Sequence, residues 1–126
     1  MASLAACANL APRAFGPVHS VEEARAAALF LTGLQPPVIV VGEVSHGQAG
    51  ELYLGPRGMC ASEDQCQQAE ARRQRLGWKV YLVGMDHGSD CDVAVCPLVK
   101  TNQLLVIDEL DGTVLFNVQS EGALGL

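Results

Sequence analysis

VVGEVSHG, from Val40 to Gly47, and LVGMDHG, from Leu82 to Gly88, share one design: an apolar strand that runs into a His-Gly turn. Their flanks, Val38 to Val44 and Trp78 to Met85, carry apolar residues on both faces, as central strands do. Each is preceded by a helix with its own start signal. Ser20 opens SVEEARAAALFLTGL, and Glu23 stands three residues on, which is the capping-box spacing. Ser62 opens SEDQCQQAEARRQRLG, and Gln65 repeats that spacing.

The two helices differ in character. Ala26 to Leu31 is apolar all round, which predicts a buried helix ended by Gly33 and the Pro36-Pro37 pair. In the second, Glu63 and Asp64 sit at the start and Arg72, Arg73 and Arg75 at the end, complementing the macrodipole. Its apolar stripe is only Cys66, Ala69 and Leu76, with Gly77 as the stop, so it is expected to be the more exposed.

Displacing the chain by 42 residues brings Ser20 onto Ser62, Ala27 onto Ala69, Val38 onto Val80 and Gly42 onto Gly84. After a one-residue gap, His46-Gly47 falls on His87-Gly88. This recurrence reads as two helix–strand–strand units. Further strands are expected at Glu51 to Leu54 and Cys91 to Leu98. Gln103 to Leu110 and Thr113 to Gln119 flank Asp111-Gly112, a type I′ hairpin signal. The expected fold is α+β: a mixed or antiparallel sheet of about five to six strands with two main helices on one face. Residues 1–18 read as an N-terminal arm and 19–126 as a single domain.

Composition narrows the function. The 126 residues are 49% apolar, enough for one packed core. Fourteen acidic residues face 8 basic ones, for a net charge of −6, which disfavours nucleic acid and anionic lipid. No apolar run approaches the roughly 20 residues of a membrane span. Five cysteines and no clear secretory signal predict free thiols in a reducing, cytoplasmic setting.

Residue type and spacing bear on three chemistries. Cys60-x5-Cys66 and Cys91-x4-Cys96 do not suit a structural zinc, and DHGSDCD, with Asp86, Asp90 and Asp92, lacks the calcium-loop pattern. No metal or other cofactor is expected. A cysteine-dependent hydrolase or acyltransferase is the alternative reading. In it Cys60 before a helix start is the nucleophile, His87 the base and Asp108 the orienting carboxylate. The leading expectation is a small acidic protein-binding module, an adaptor or inhibitor of a basic target. The sheet's second apolar face would need a cover, supplied by such a partner or by self-association as a homodimer. Glu51, Asp86, Asp90, Asp92, Asp108, Glu109 and Asp111 are its candidate contact residues.

Overall fold

The computed structural model describes residues 13–53, 60–87 and 98–121. The chain runs α1 (Val21–Leu31), β1 (Gln35–Gln48), α2 (Ala49–Leu52), α3 (Glu63–Gln74), β2 (Leu76–His87), β3 (Leu98–Asp108) and β4 (Val114–Glu121). The strands form one antiparallel sheet in the order β1-β2-β3-β4, so β2 is central as expected whereas β1, also expected to be central, is an edge strand with no buried residue.

Both helix starts follow the expected capping chemistry, with a small difference. The Ser20 hydroxyl accepts from the Glu23 amide at 3.1 Å, and the Ser62 hydroxyl from the Gln65 amide at 3.2 Å. The reciprocal bonds reach one residue further back. Glu23 accepts from the His19 amide and Gln65 from the Ala61 amide, both at 2.9 Å. The stops differ more. Helix α3 ends at Gln74, and Gly77 lies inside β2, paired with Asp108. There a side chain would meet the carbonyl of Ile107, so the glycine serves close strand packing.

The expected fold is corrected in two respects. Among the described residues the sheet has four strands, not five to six. The segment expected as a strand from Glu51 falls in α2, a single helical turn. Ala49, Glu51 and Leu52 are good helix formers, and Ala49 is wholly buried. The strand expected over Cys91 to Leu98 lies outside the described residues except for Leu98, which opens β3. Leu98 to Asp108 is one continuous strand, so the segment expected from Gln103 is only its second half.

The helices also lie on opposite faces. Ala24, Ala27 and Ala28 of α1 pack with Val80, Leu82, Leu105 and Ile107. Val106 points the other way by strand alternation and packs with Ala49 and Leu115, with Leu52, Tyr53, Leu104 and Phe116 around them. The guanidinium of Arg73, on α3, stands 5.7 Å from the centre of the Phe116 ring. A true helix–strand–strand duplication would make β1 and β2 equivalent by a rotation perpendicular to the sheet, which keeps both helices on one face. The strands obey the 42-residue phase: Val38 and Val80 share one core, Val41 and Val83 share the other face. The helices do not, so the recurrence reflects similar local patterning rather than repeated units.

Helix α1 buries its alanine stripe only; Leu29 and Phe30 are exposed. None of α3 is buried, as its thin stripe predicts. Of the expected N-terminal arm, residues 13–18 are described, and they are docked. The amides of Phe15, Gly16 and Val18 donate to carbonyls of Gly112, Asp111 and Glu109 at 2.9–3.1 Å. Val18 is 1% exposed.

The β3–β4 connection is not a two-residue type I′ hairpin. It spans Glu109 to Thr113, and only Gly112 has a positive φ, 71°. Asp111 keeps a negative φ and uses its carboxylate instead, accepting from the Thr113 amide at 2.9 Å and hydroxyl at 2.7 Å. Among the described residues, no helix is long and apolar enough to cross a membrane.

Candidate functional site

The three residues of the expected catalytic arrangement are not brought together. Cys60 is joined to Cys66 in a disulfide with Cα atoms 5.5 Å apart. That corrects the expectation of free thiols at these positions and leaves Cys60 no thiolate for attack. His87 ends β2 opposite Leu98, whereas Asp108 pairs with Gly77 at the other end of the same ladder. Ten strand residues at about 3.3 Å each separate those two levels, so His87 and Asp108 lie on the order of 30 Å apart.

Asp108 is also occupied. Its Oδ2 accepts from Nε of Arg75, the residue that caps α3, and its Oδ1 accepts from the Leu110 amide at 2.9 Å. The carboxylate is buried, and the bond to it raises the Arg75 pKa above its ordinary value. Asp108 therefore joins α3 to β3 rather than facing a partner.

The remaining candidate carboxylates do not form one surface. Glu51 lies on α2. Asp86 stands near the end of β2 and accepts from the His87 amide at 2.8 Å. Glu109 and Asp111 lie at the opposite end, in the β3–β4 turn. Asp90 and Asp92 lie outside the described residues. The hydrogen bond from the Thr113 side chain, more than any other contact, holds the Asp111 pKa below the ordinary carboxylate value.

His46 finds a partner that the sequence did not signal. Its Nε2 lies 2.5 Å from Oε1 of Glu109, and its ring centre lies 4.5 Å from that of Trp78. Register explains the stacking, because His46 pairs with Trp78 across β1 and β2. Trp78 in turn donates from Nε1 to the Val18 carbonyl at 3.0 Å. The cluster ties the end of edge strand β1 to the β3–β4 turn and the N-terminal strip. Among the described residues, no group of three His, Cys, Asp or Glu side chains converges as a metal site.

A wide opening lies on the second face of the sheet, beyond the part covered by α2. It is a groove of about 780 Å³ lined by Ile39, Val41, Glu43, Lys79, Tyr81 and Val83, with Gly42, Ser45 and Lys100 completing it. The cross-strand pairs Ile39–Val83 and Val41–Tyr81 form its floor. Ile39 is 57% exposed, which is high for an isoleucine on a sheet face. Tyr81 also lines a smaller adjoining hollow of about 130 Å³ with Asn102, Leu104, Val118 and Ser120. The open apolar face thus continues from β1 to β4.

Among the described residues, two features leave this half uncovered. The β1–β2 connection returns over the sheet as one turn of α2 followed by α3, and these cover only the end near Val106 and Phe116. The register of β1 shifts between Val41 and Ser45, around Gly42 with φ 73°. Such a bulge twists an edge strand and spoils it as a template for strand addition, leaving the face rather than the edge as the accessible surface. The sequence signalled an uncovered apolar face but not which half, because that depends on where α2 and α3 land.

Comparisons with family models, with curated proteins and with solved structures find no match to this chain.

Proposed function

We propose that this chain is a protein-binding module, an adaptor or inhibitor without chemistry of its own, that docks its target on the open half of the second sheet face. The observation that carries this reading is the groove itself. Ile39, Val41, Tyr81 and Val83 present a joined apolar floor in a sheet whose other face is covered by α1 and whose near end is covered by α2. Burying such a patch contributes about 25 cal/mol per Å² of apolar area, which is the usual source of affinity at an interface core.

This reading moves the binding surface away from the carboxylates of the acidic turns. Those divide between the two ends of the sheet, and Asp108 is already paired with Arg75. The net charge of −6 still shapes long-range encounter with any partner. We also infer an oxidising compartment in place of the cytoplasm expected from the cysteine count. The Cys60–Cys66 bridge supports this, since such bonds persist where thiols are not kept reduced.

A photo-crosslinking amino acid in place of Tyr81, expressed in the cell of origin, tests the docking surface. The same group in place of Leu29, 48% exposed on α1, is the control. A discrete adduct with another protein from the Tyr81 position alone supports the proposal. Equal labelling from both positions, or none from Tyr81, removes it, and an adduct with a second copy replaces it by self-association.

A further inference from the structure

The groove carries more information than its apolarity. The chain has two lysines, Lys79 and Lys100, and both line it. Neither is ion-paired among the described residues. Lys79 rests 5.5 Å from the centre of the Tyr81 ring, within the range of a cation–π contact. Glu43 is the one carboxylate of the lining. In a molecule of net charge −6, this is a site where positive groups outnumber negative ones.

The spacing of the lysines is set by the ladder. Lys100 pairs with Met85, six residues along β2 from Lys79. At about 3.3 Å per residue that is roughly 20 Å. The apolar floor made by Val41–Tyr81 and Ile39–Val83 lies between those two levels. An occupant therefore meets an ammonium group, an apolar stretch, and a second ammonium group.

Resting on the docking reading above, we propose that the groove receives an amphipathic helix of about 13 residues whose apolar stripe is flanked at each end by carboxylates. A helix is favoured over an extended segment for a backbone reason. The groove lies on a face, where the amides and carbonyls of β2 and β3 are engaged in the ladder. An extended peptide would find no backbone partners there, whereas a helix satisfies its own. The opposite face of this sheet is covered in the same manner, by the 11-residue α1. A second copy of the chain is the weaker occupant, because its own groove presents the same two ammonium groups.

The probes are two synthetic helical peptides with one apolar stripe, one with Glu pairs at both ends and the other with Lys pairs. Fluorescence anisotropy measures their binding to the full chain and to a Lys79→Glu, Lys100→Glu double variant. The near-ultraviolet dichroism of Trp78 verifies that the variant is folded. The Glu-flanked peptide is expected to bind the native chain about tenfold more tightly, since two exposed ion pairs are exchanged for two repulsions. The double variant is expected to invert that preference. Equal binding of the two peptides, a preference that survives the double substitution, or no binding of either overturns the helix proposal. None of these touches the docking reading, which stands or falls on the Tyr81 crosslink. Dimerisation in sedimentation that Val83→Asp abolishes also overturns the proposal, by giving the face to a second copy.

Discussion

Arg75, 42% exposed at the end of α3, holds the carboxylate of Asp108, 2% exposed at the end of β3. The pair is lopsided: one partner remains hydrated and the other does not. Removing Arg75 strands a buried carboxylate with the Leu110 amide as its remaining hydrogen-bond partner. Arg75→Ala is expected to lower stability, and by less than the loss of a wholly buried pair, because the arginine is half in water. Urea unfolding followed by Trp78 fluorescence measures it, and an unchanged midpoint would show that the contact contributes nothing.

The Cys60–Cys66 bridge closes a short loop that includes the first turn of α3. Chain-entropy arguments assign a loop of this size about 2 kcal/mol, with the loss falling on α3 and its contact with Phe116. Replacing both cysteines with serine is expected to lower the urea midpoint accordingly. In the native chain, iodoacetamide should leave Cys60 and Cys66 unlabelled until a reductant is added. Mass mapping of labelled peptides reads this directly, and labelling without reductant contradicts the bridge.

Acid should loosen the β3–β4 turn in a defined direction. Asp111 has a folded-state pKa below the ordinary 3.8, chiefly through the Thr113 side chain. Its contribution is therefore complete above the unfolded value and is lost as pH falls through the lowered one. The stability gap between the native chain and Asp111→Asn is expected to be constant near neutrality and to close below about pH 4. A gap that widens on acidification contradicts the assignment.

Gly112 combines a left-handed backbone, φ 71°, with close packing against Gly16 and Phe15 of the N-terminal strip. A methyl group meets both difficulties. Gly112→Ala is expected to destabilise by about 1–3 kcal/mol and to loosen the strip that delivers the Val18 carbonyl to Trp78. A red shift and broadening of Trp78 emission in the folded variant is the accompanying signal. Emission and midpoint both unchanged would show that the strip tolerates the side chain.

Local signals predicted what local physics controls. Ser20 and Ser62 start helices because a hydroxyl there satisfies an amide within the first turn, whatever lies around it. The apolar runs through Val40 and Leu82 are strands because both faces of each carry side chains that need cover. The exposed polar character of α3 followed from its thin stripe for the same reason. Long-range placement was not legible. The face on which α2 and α3 land follows from how Gln48 turns into Ala49 and from the packing of Val106, Leu115 and Phe116. These residues are far apart in sequence, and their alternation does not say which face is which. The same placement pairs Asp108 with Arg75, pairs His46 with Glu109, and sets Lys79 and Lys100 around an apolar floor that no other described residue covers. Side-chain type and period decide what each segment becomes. Only the tertiary arrangement decides which surfaces meet, because burial is a property of pairs of segments and not of one alone.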